Sequence, residues 1–448
     1  MDSSMTSGSI FKTILKFMFP LFIGNVFQQL YNMADTIIVG RFVGPNALAA
    51  VGSTGTIMFL ILGVSIGLTT GFTVLTSQAY GAGDEGWVHK TVANAMILSM
   101  IVVLVMTFLS AAGMGQVLRL MNTPDDIYQD AYTYIMIISL GIISSVLYNL
   151  ASALLRSVGN SKVPLYILVF SAFLNVGLDL LLIIVFKMGV AGAALATVVS
   201  QLISALMGFA YIAKNVPVLR PSREDFRLYP EITKKQLAIA IPMALQFGIT
   251  ASGTMIMQAA INKFGATAVA AYTAASKLHT VLTQEMIAMG QAMAAYAGQN
   301  FGFGDYSRLK NGVRAACIIE FVYSCIASVA CYILMPLTIG FFFTGDVNLA
   351  DMMPWAETYV TTVIVFYIPL SVIFVFRNTM QGCGYGFLPM MGGVVEFFAR
   401  LFTAMIAIHL ANFRLAVACD PAAWVAAAVF TGASWFFISR KIKQQLAR

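Results

Sequence analysis

Asp35 stands in an apolar stretch with Gly24, Gln28 and Asn32, at successive spacings of four, four and three residues, so a helix puts all four on one face. Tyr31 lies one turn before Asp35. Asn175 and Asp179, four residues apart on a later apolar stretch, share a face in the same way. Counting from the turn at Lys187, Asp179 lies about 12 Å deep and Thr197 about 15 Å, while Asp35 is about 8 Å from its own outer end. Two carboxylates, an amide and a hydroxyl at similar depth can bind a cation. Their oxygens replace the hydration shell of Na⁺, or the paired acids share a proton. Either event neutralises the cluster and lets the helices rearrange. Two local readings compete: Asp35 capping or snorkelling near its helix end, and Asn175 and Asp179 as an inert interhelical hydrogen-bond network.

The second half of the chain carries other polar groups in apolar surroundings. Lys277 and Glu285 are eight residues apart and read as a substrate or proton-relay pair, or else as a lysine set against interfacial oxygens and a glutamate near the cytoplasmic end. Gln246 is a further candidate for substrate contact. Glu396 and Arg400 have the spacing of an intrahelical ion pair, and Glu320 reads as structural polarity of the same kind. His89, His279 and His409 are scattered, and the five cysteines lack a C-x-x-C pair, so neither a metal site nor a disulfide framework is implied. No G-x-x-x-x-G-K-[ST] phosphate loop is present, which argues against an ATP-driven pump, and no nucleophile–base pair suggests an enzyme.

The elements that must hold these groups are membrane helices. Of 448 residues 59% are hydrophobic and 10% charged, with a mean hydropathy of +0.84, where a soluble domain carries about 25% charged residues. Twelve spans are expected. Those of the first half are 14–39, 51–79, 92–113, 131–155, 164–186 and 188–213, and those of the second are 236–262, 267–297, 314–336, 358–379, 389–411 and 422–439. With alternating sides, nineteen of the 26 basic residues, from Lys12 to Arg448 and including Arg377, fall on the face shared with the N-terminus. Both termini are therefore expected in the cytoplasm. The net charge of +7 is spread over short loops, so it reads as topology rather than a nucleic-acid footprint. The polar stretch 214–235, with Pro217, Pro221 and Pro230, is expected to be a cytoplasmic linker between an N-lobe, 1–213, and a C-lobe, 236–448.

The two halves are copies. Gln78 to Asp84 returns 221 residues later as Gln299 to Asp305, with both glycines kept and Tyr80 replaced by Phe301. Gly44 to Ala50 matches Gly265 to Ala271 at the same offset, Pro20 matches Pro242, and Gly159 and Pro164 match Gly384 and Pro389. Taken alone, the Gly81-Ala82-Gly83 run reads as a helix C-cap and tight turn. Structural repeats in transporters place the substrate path between them. The copies differ where charge matters, since Met257 occupies the repeat position of Asp35.

The run from Val26 to Gly40, the motif at Gln78–Asp84, the stretch from Leu155 to Pro164 and the pair Asn175 and Asp179 together resemble the multidrug and toxic compound extrusion (MATE) transporters, prokaryotic type. The resemblance spans essentially the whole chain. It implies an all-α integral membrane fold of twelve helices in two pseudo-symmetric six-helix bundles, the MATE fold. It implies a cation-coupled antiporter, using H⁺ or Na⁺, that exports amphipathic or cationic small organic compounds by alternating access. The family's N-lobe cation site maps onto Asp35, Asn175, Asp179 and Thr197, with Tyr31 and Tyr134 as supporting aromatics beside Gln28 and Asn32. The acids that some members place on the seventh and tenth helices are missing here: the seventh has Gln246, Thr250, Thr254 and Gln258 instead. A lipid-linked precursor flippase of the same superfamily is the alternative, and a passive channel is a third reading. The expected setting is a monomer in the plasma (inner) membrane, handling drug-like molecules with no cofactor and no nucleic-acid partner.

Overall fold

The computed structural model describes residues 5–121, 123–342 and 349–446; Arg448, counted above among the cytoplasmic charges, lies outside them. Among the described residues every regular element is helical and there is no strand. The first half comprises α1 (Ile10–Phe42), α2 (Pro45–Ser53), α3 (Gly55–Ala82), α4 (Glu85–Leu120), α5 (Asp125–Leu140), α6 (Ile142–Ser157), α7 (Lys162–Asp179) and α8 (Gly189–Asn215). The second half comprises α9 (Pro230–Ile261), α10 (Ala266–Leu282), α11 (Gln284–Phe303), α12 (Tyr306–Phe342), α13 (Leu349–Val363), α14 (Tyr367–Gly382), α15 (Phe387–His409), α16 (Phe413–Val417) and α17 (Cys419–Leu446). Helices are the outcome that apolar sequence of this length dictates, because in lipid every backbone group must be satisfied within its own segment. Side chains such as Phe108, Phe173 and Phe341 are more than 70% exposed, which suits hydrocarbon rather than water.

Among the described residues ten spans are long and apolar enough to cross a membrane, α13 and α14 counting together as one, and eleven if α5 and α6, bent by 47° at Gly141, are also joined. The remaining expected span, 267–297, is divided between α10 and α11, which meet at Thr283. Breaks occur elsewhere too: α2 ends and α3 begins at Thr54, and a 3₁₀ turn, Ile364–Phe366, joins α13 to α14.

The repeat is visible in the backbone. Gly83 and Gly304 both take the left-handed conformation (φ 73° and 86°) at the C-cap of α3 and of α11. The aspartate that follows each then caps the next helix, with Trp87 N donating to Asp84 Oδ1 at 2.9 Å and Arg308 N to Asp305 Oδ1 at 2.8 Å. The repeated motif is thus a turn that ends one helix and starts another.

The chain divides into two compact units, but not at the polar stretch where the sequence suggested lobes. Unit 1 contains Phe19–Ala244; unit 2 contains Met5–Met18 together with Leu245 onward. The divisions fall inside α1 and α9, within two residues of Pro20 and Pro242. A helix-interior proline lacks its N–H and crowds the carbonyl four residues back, so it is where a long helix changes direction. The segments before the prolines are fastened by hydrogen bonds. In unit 1, Tyr229 N and Thr233 Oγ1 both donate to Asn94 Oδ1 at 3.1 Å, and Asn94 Nδ2 donates to Gln236 Oε1 at 2.7 Å. Gln236 Nε2 in turn donates to Phe72 O and Thr91 O at 2.9 and 3.0 Å. In unit 2, Met5 N donates to Gln299 Oε1 at 2.8 Å, and Arg308 donates to the carbonyls of Met5, Ser7 and Gly8.

Of the stretch 214–235, only residues 216–229 lie between α8 and α9, and they contain two short 3₁₀ turns. In the second, Ser222 N and Oγ donate to Asp225 Oδ2 at 2.8 and 2.7 Å, which holds the Asp225 carboxyl below the usual carboxylate range.

Candidate cation-binding cluster

Unit 1 brings the predicted acids together. Asp35, on the second half of α1, and Asp179, the last residue of α7, face each other within hydrogen-bonding reach. Asn175 and Asp179 are 0% exposed, and Tyr134 and Thr197 are nearly so. Asn175 Nδ2 donates to Thr197 Oγ1 at 3.5 Å, and Thr197 Oγ1 donates to Ala193 O at 3.1 Å. The Tyr31 side chain hydrogen-bonds Thr197, and the Tyr31 and Tyr134 rings lie beside both carboxylates. Gln28 and Asn32 stay at the margin: Gln28 is half-buried and Asn32 exposed.

The cluster is short of donors. Asp35 Oδ1, Asn175 Oδ1 and both Asp179 oxygens are buried with no hydrogen-bond partner. Two ionised carboxylates cannot donate to each other, so their proximity is stable only with a proton or a cation between them. Directly after Asp179 the chain turns from α-helix to a six-residue π-helical segment, Leu180–Val185. Such segments are rare and often sit at functional sites. Nothing in the uniform apolar run Leu180 to Val185 announces it in the sequence.

Unit 2 arranges its charges differently. Glu396 lies between Arg377 Nη1 and Arg400 Nη1, at 3.4 Å from each, and Arg400 Nε donates to Asp420 Oδ1 at 2.8 Å. The expected i,i+4 pair is therefore part of a four-residue chain. Arg377, counted above with loop charges, is buried in α14. Gln246 joins this chain: with its amide oriented to match its neighbours, its carbonyl accepts from Arg377 Nε and Nη1 at 3.1 and 3.2 Å. Gly253 leaves room for Arg400, whose Nη1 lies 3.0 Å from where a Cβ would be. Lys277 is exposed on α10 and forms no ion pair with Glu285 among the described residues. The carboxylate that meets Glu285 is Glu320. Sequence reasoning left those two apart because they lie on different helices, 35 residues from each other. The five cysteines are free thiols, and no group of three or more potential metal ligands occurs among the described residues.

The MatE family profile matches residues 20–181 and again 242–406, one match per half. A probable multidrug resistance protein of Bacillus subtilis, YpnP, is 29% identical over 90% of this chain and 90% of its own length. A probable multidrug resistance protein of Thermotoga maritima, NorM, is 23% identical over 89% of this chain and 85% of its own. Among solved structures, a MATE crystallised in complex with MaL6 superimposes with a TM-score of 0.92 at 22% identity, covering 98% of both chains. With two profile matches in register, a matching fold and relatives along nearly the whole length, the chain belongs to the MatE family of multidrug and toxic compound extrusion transporters.

Proposed function

We propose that this transporter is an antiporter that couples entry of H⁺ or Na⁺ to export of amphipathic or cationic small organic compounds. Asp35, Asp179, Asn175 and Thr197 hold the coupling ion, with Tyr31 and Tyr134 enclosing them. The observation that carries this reading is the pair of facing carboxylates, three of whose oxygens are buried without a hydrogen-bond partner. Such a pair is favourable loaded and unfavourable empty, so occupancy shifts the balance between two arrangements of α1, α7 and α8. The protein would act as a monomer in the plasma membrane with both termini cytoplasmic, in line with the basic residues on that face. The names of the B. subtilis and T. maritima relatives favour drug export over the flippase alternative.

The test is ethidium efflux from proteoliposomes under a pH gradient and, separately, a Na⁺ gradient. One of them should drive efflux, and Asp35→Asn should lower the driven rate by about 5- to 150-fold. Driven efflux that is unchanged in Asp35→Asn removes the cluster from coupling. Efflux indifferent to both gradients indicates a passive channel.

A further inference from the structure

Unit 2 contains a second pair of buried acids, at a place where unit 1 has none. Glu285, in the first turn of α11, is 3% exposed, and Glu320, midway along α12, is 1% exposed. Their carboxyl groups meet within hydrogen-bonding reach. Glu285 Oε2 and both Glu320 oxygens have no donor. One turn beyond Glu320, on the same face of α12, the Ser324 hydroxyl is 0% exposed and also without a partner.

The backbone beside α12 is interrupted twice. The α10–α11 junction at Thr283 lies two residues before Glu285, and the 3₁₀ turn Ile364–Phe366 meets α12 further along, at Ser328. Side chains of α12 fill both gaps: Tyr323 Oη donates to Leu282 O at 2.6 Å, and Ser328 Oγ donates to Ile364 O at 2.8 Å. Interrupted helices at depth in a membrane are tolerated where they line a site, and the break at Thr283 adjoins this carboxyl pair. The repeat offset of 221 residues places Val64 opposite Glu285 and Ser99 opposite Glu320, so the first copy cannot build this pair.

We propose that Glu285 and Glu320 form a proton-binding site of unit 2, distinct from the Asp35 cluster, in which one proton is shared between the two carboxyl groups. A proton fits better than a metal cation. The oxygens at the pair are those of the two carboxyl groups and Ser324 Oγ, fewer than the six or so that a hard cation takes up. The other titratable groups beside the pair are Tyr323 and Cys317, both on α12. On α10, Lys277 is exposed and His279 Nδ1 is 3.0 Å from Tyr367 Oη; on α14, Arg377 is paired with Glu396.

Difference infrared spectroscopy on the full-length protein in detergent reads protonated carboxyl groups without any transport. The Asp35→Asn/Asp179→Asn double variant should retain a protonated-carboxyl band at neutral pH, and raising the pH should remove that band. Glu285→Gln and Glu320→Gln should each abolish the titrating signal, and Na⁺ at constant pH should leave it unchanged. Glu285→Asp, which keeps both acids, should preserve the band at a shifted frequency and guards against a misfolded glutamine variant. The proposal is overturned if the double variant has no such band, if both glutamine variants keep it, or if Na⁺ removes it. Ethidium efflux that is lost in Asp35→Asn while the band persists would separate the two assignments.

Discussion

The two units handle buried charge in opposite ways. In unit 1, Asp35 and Asp179 face each other with no cation among their partners. In unit 2, Glu396 and Asp420 are held by Arg377 and Arg400. A buried charge chain with every member paired is a fixed strut, because removing one member strands the rest. A carboxylate pair with no basic side chain beside it has no such internal support, and on the function proposed above it is the group that would take up the coupling ion. Glu285 and Glu320 give unit 2 an unsupported pair as well, on different helices from those used in unit 1. Duplication copied the scaffold, and each copy then placed its acids separately.

Substitutions sharpen this contrast. The largest stability effect is expected for Arg400→Met, which strands Asp420 and half-strands Glu396 and should cost about 3–5 kcal/mol in thermal unfolding in detergent. Asp179→Asn, a change of similar burial in unit 1, should be neutral or stabilising, because it removes an unpaired charge. Equal losses for the two variants would erase the distinction between strut and unsupported pair. Next in size are the repeated caps: Gly83→Ala and Gly304→Ala each force a Cβ into a left-handed position and should cost about 1 kcal/mol, alike in the two copies to within about 0.5 kcal/mol. A clear inequality would mean that the turns are no longer equivalent. The smallest effect lies outside the membrane, at Ser222→Ala. Asp225 titrates below its unfolded value, so the Ser222 contacts contribute above that value and lose their contribution as pH falls through the lowered one. Because Asp225 is exposed, the difference between the two proteins should stay below about 1 kcal/mol and vanish in acid.

Much of the fold was legible in composition, since long apolar runs leave the backbone no alternative to helices. The caps at Gly83 and Gly304 could also be read, because a Gly-x-Gly-Asp turn is local chemistry. The Asn175–Asp179 face followed from helical spacing, and its meeting with Asp35 from depth counting and family likeness. What stayed hidden was non-local. Glu320 gave no sign of meeting Glu285, and Arg377 near the end of a span looked like a loop charge. The break at Thr283 lies inside one expected span with no Gly or Pro beside it, and the unit boundaries at Met18 and Ala244 have no change of composition to mark them.

Those boundaries bear on how the chain could be divided. A fragment ending in the polar stretch 214–235 would lack Gln236, leaving the Asn94 amide and the carbonyls of Phe72 and Thr91 without their partner. The complementary fragment would lack Met5 to Met18, to which Gln299 and Arg308 are bonded. Each half is thus completed by a lead-in segment that the other half's sequence supplies. That is the pattern of segment exchange in domain-swapped dimers, here joined into a single polypeptide. Co-expressed halves should rescue one another, whereas either half made alone should be degraded.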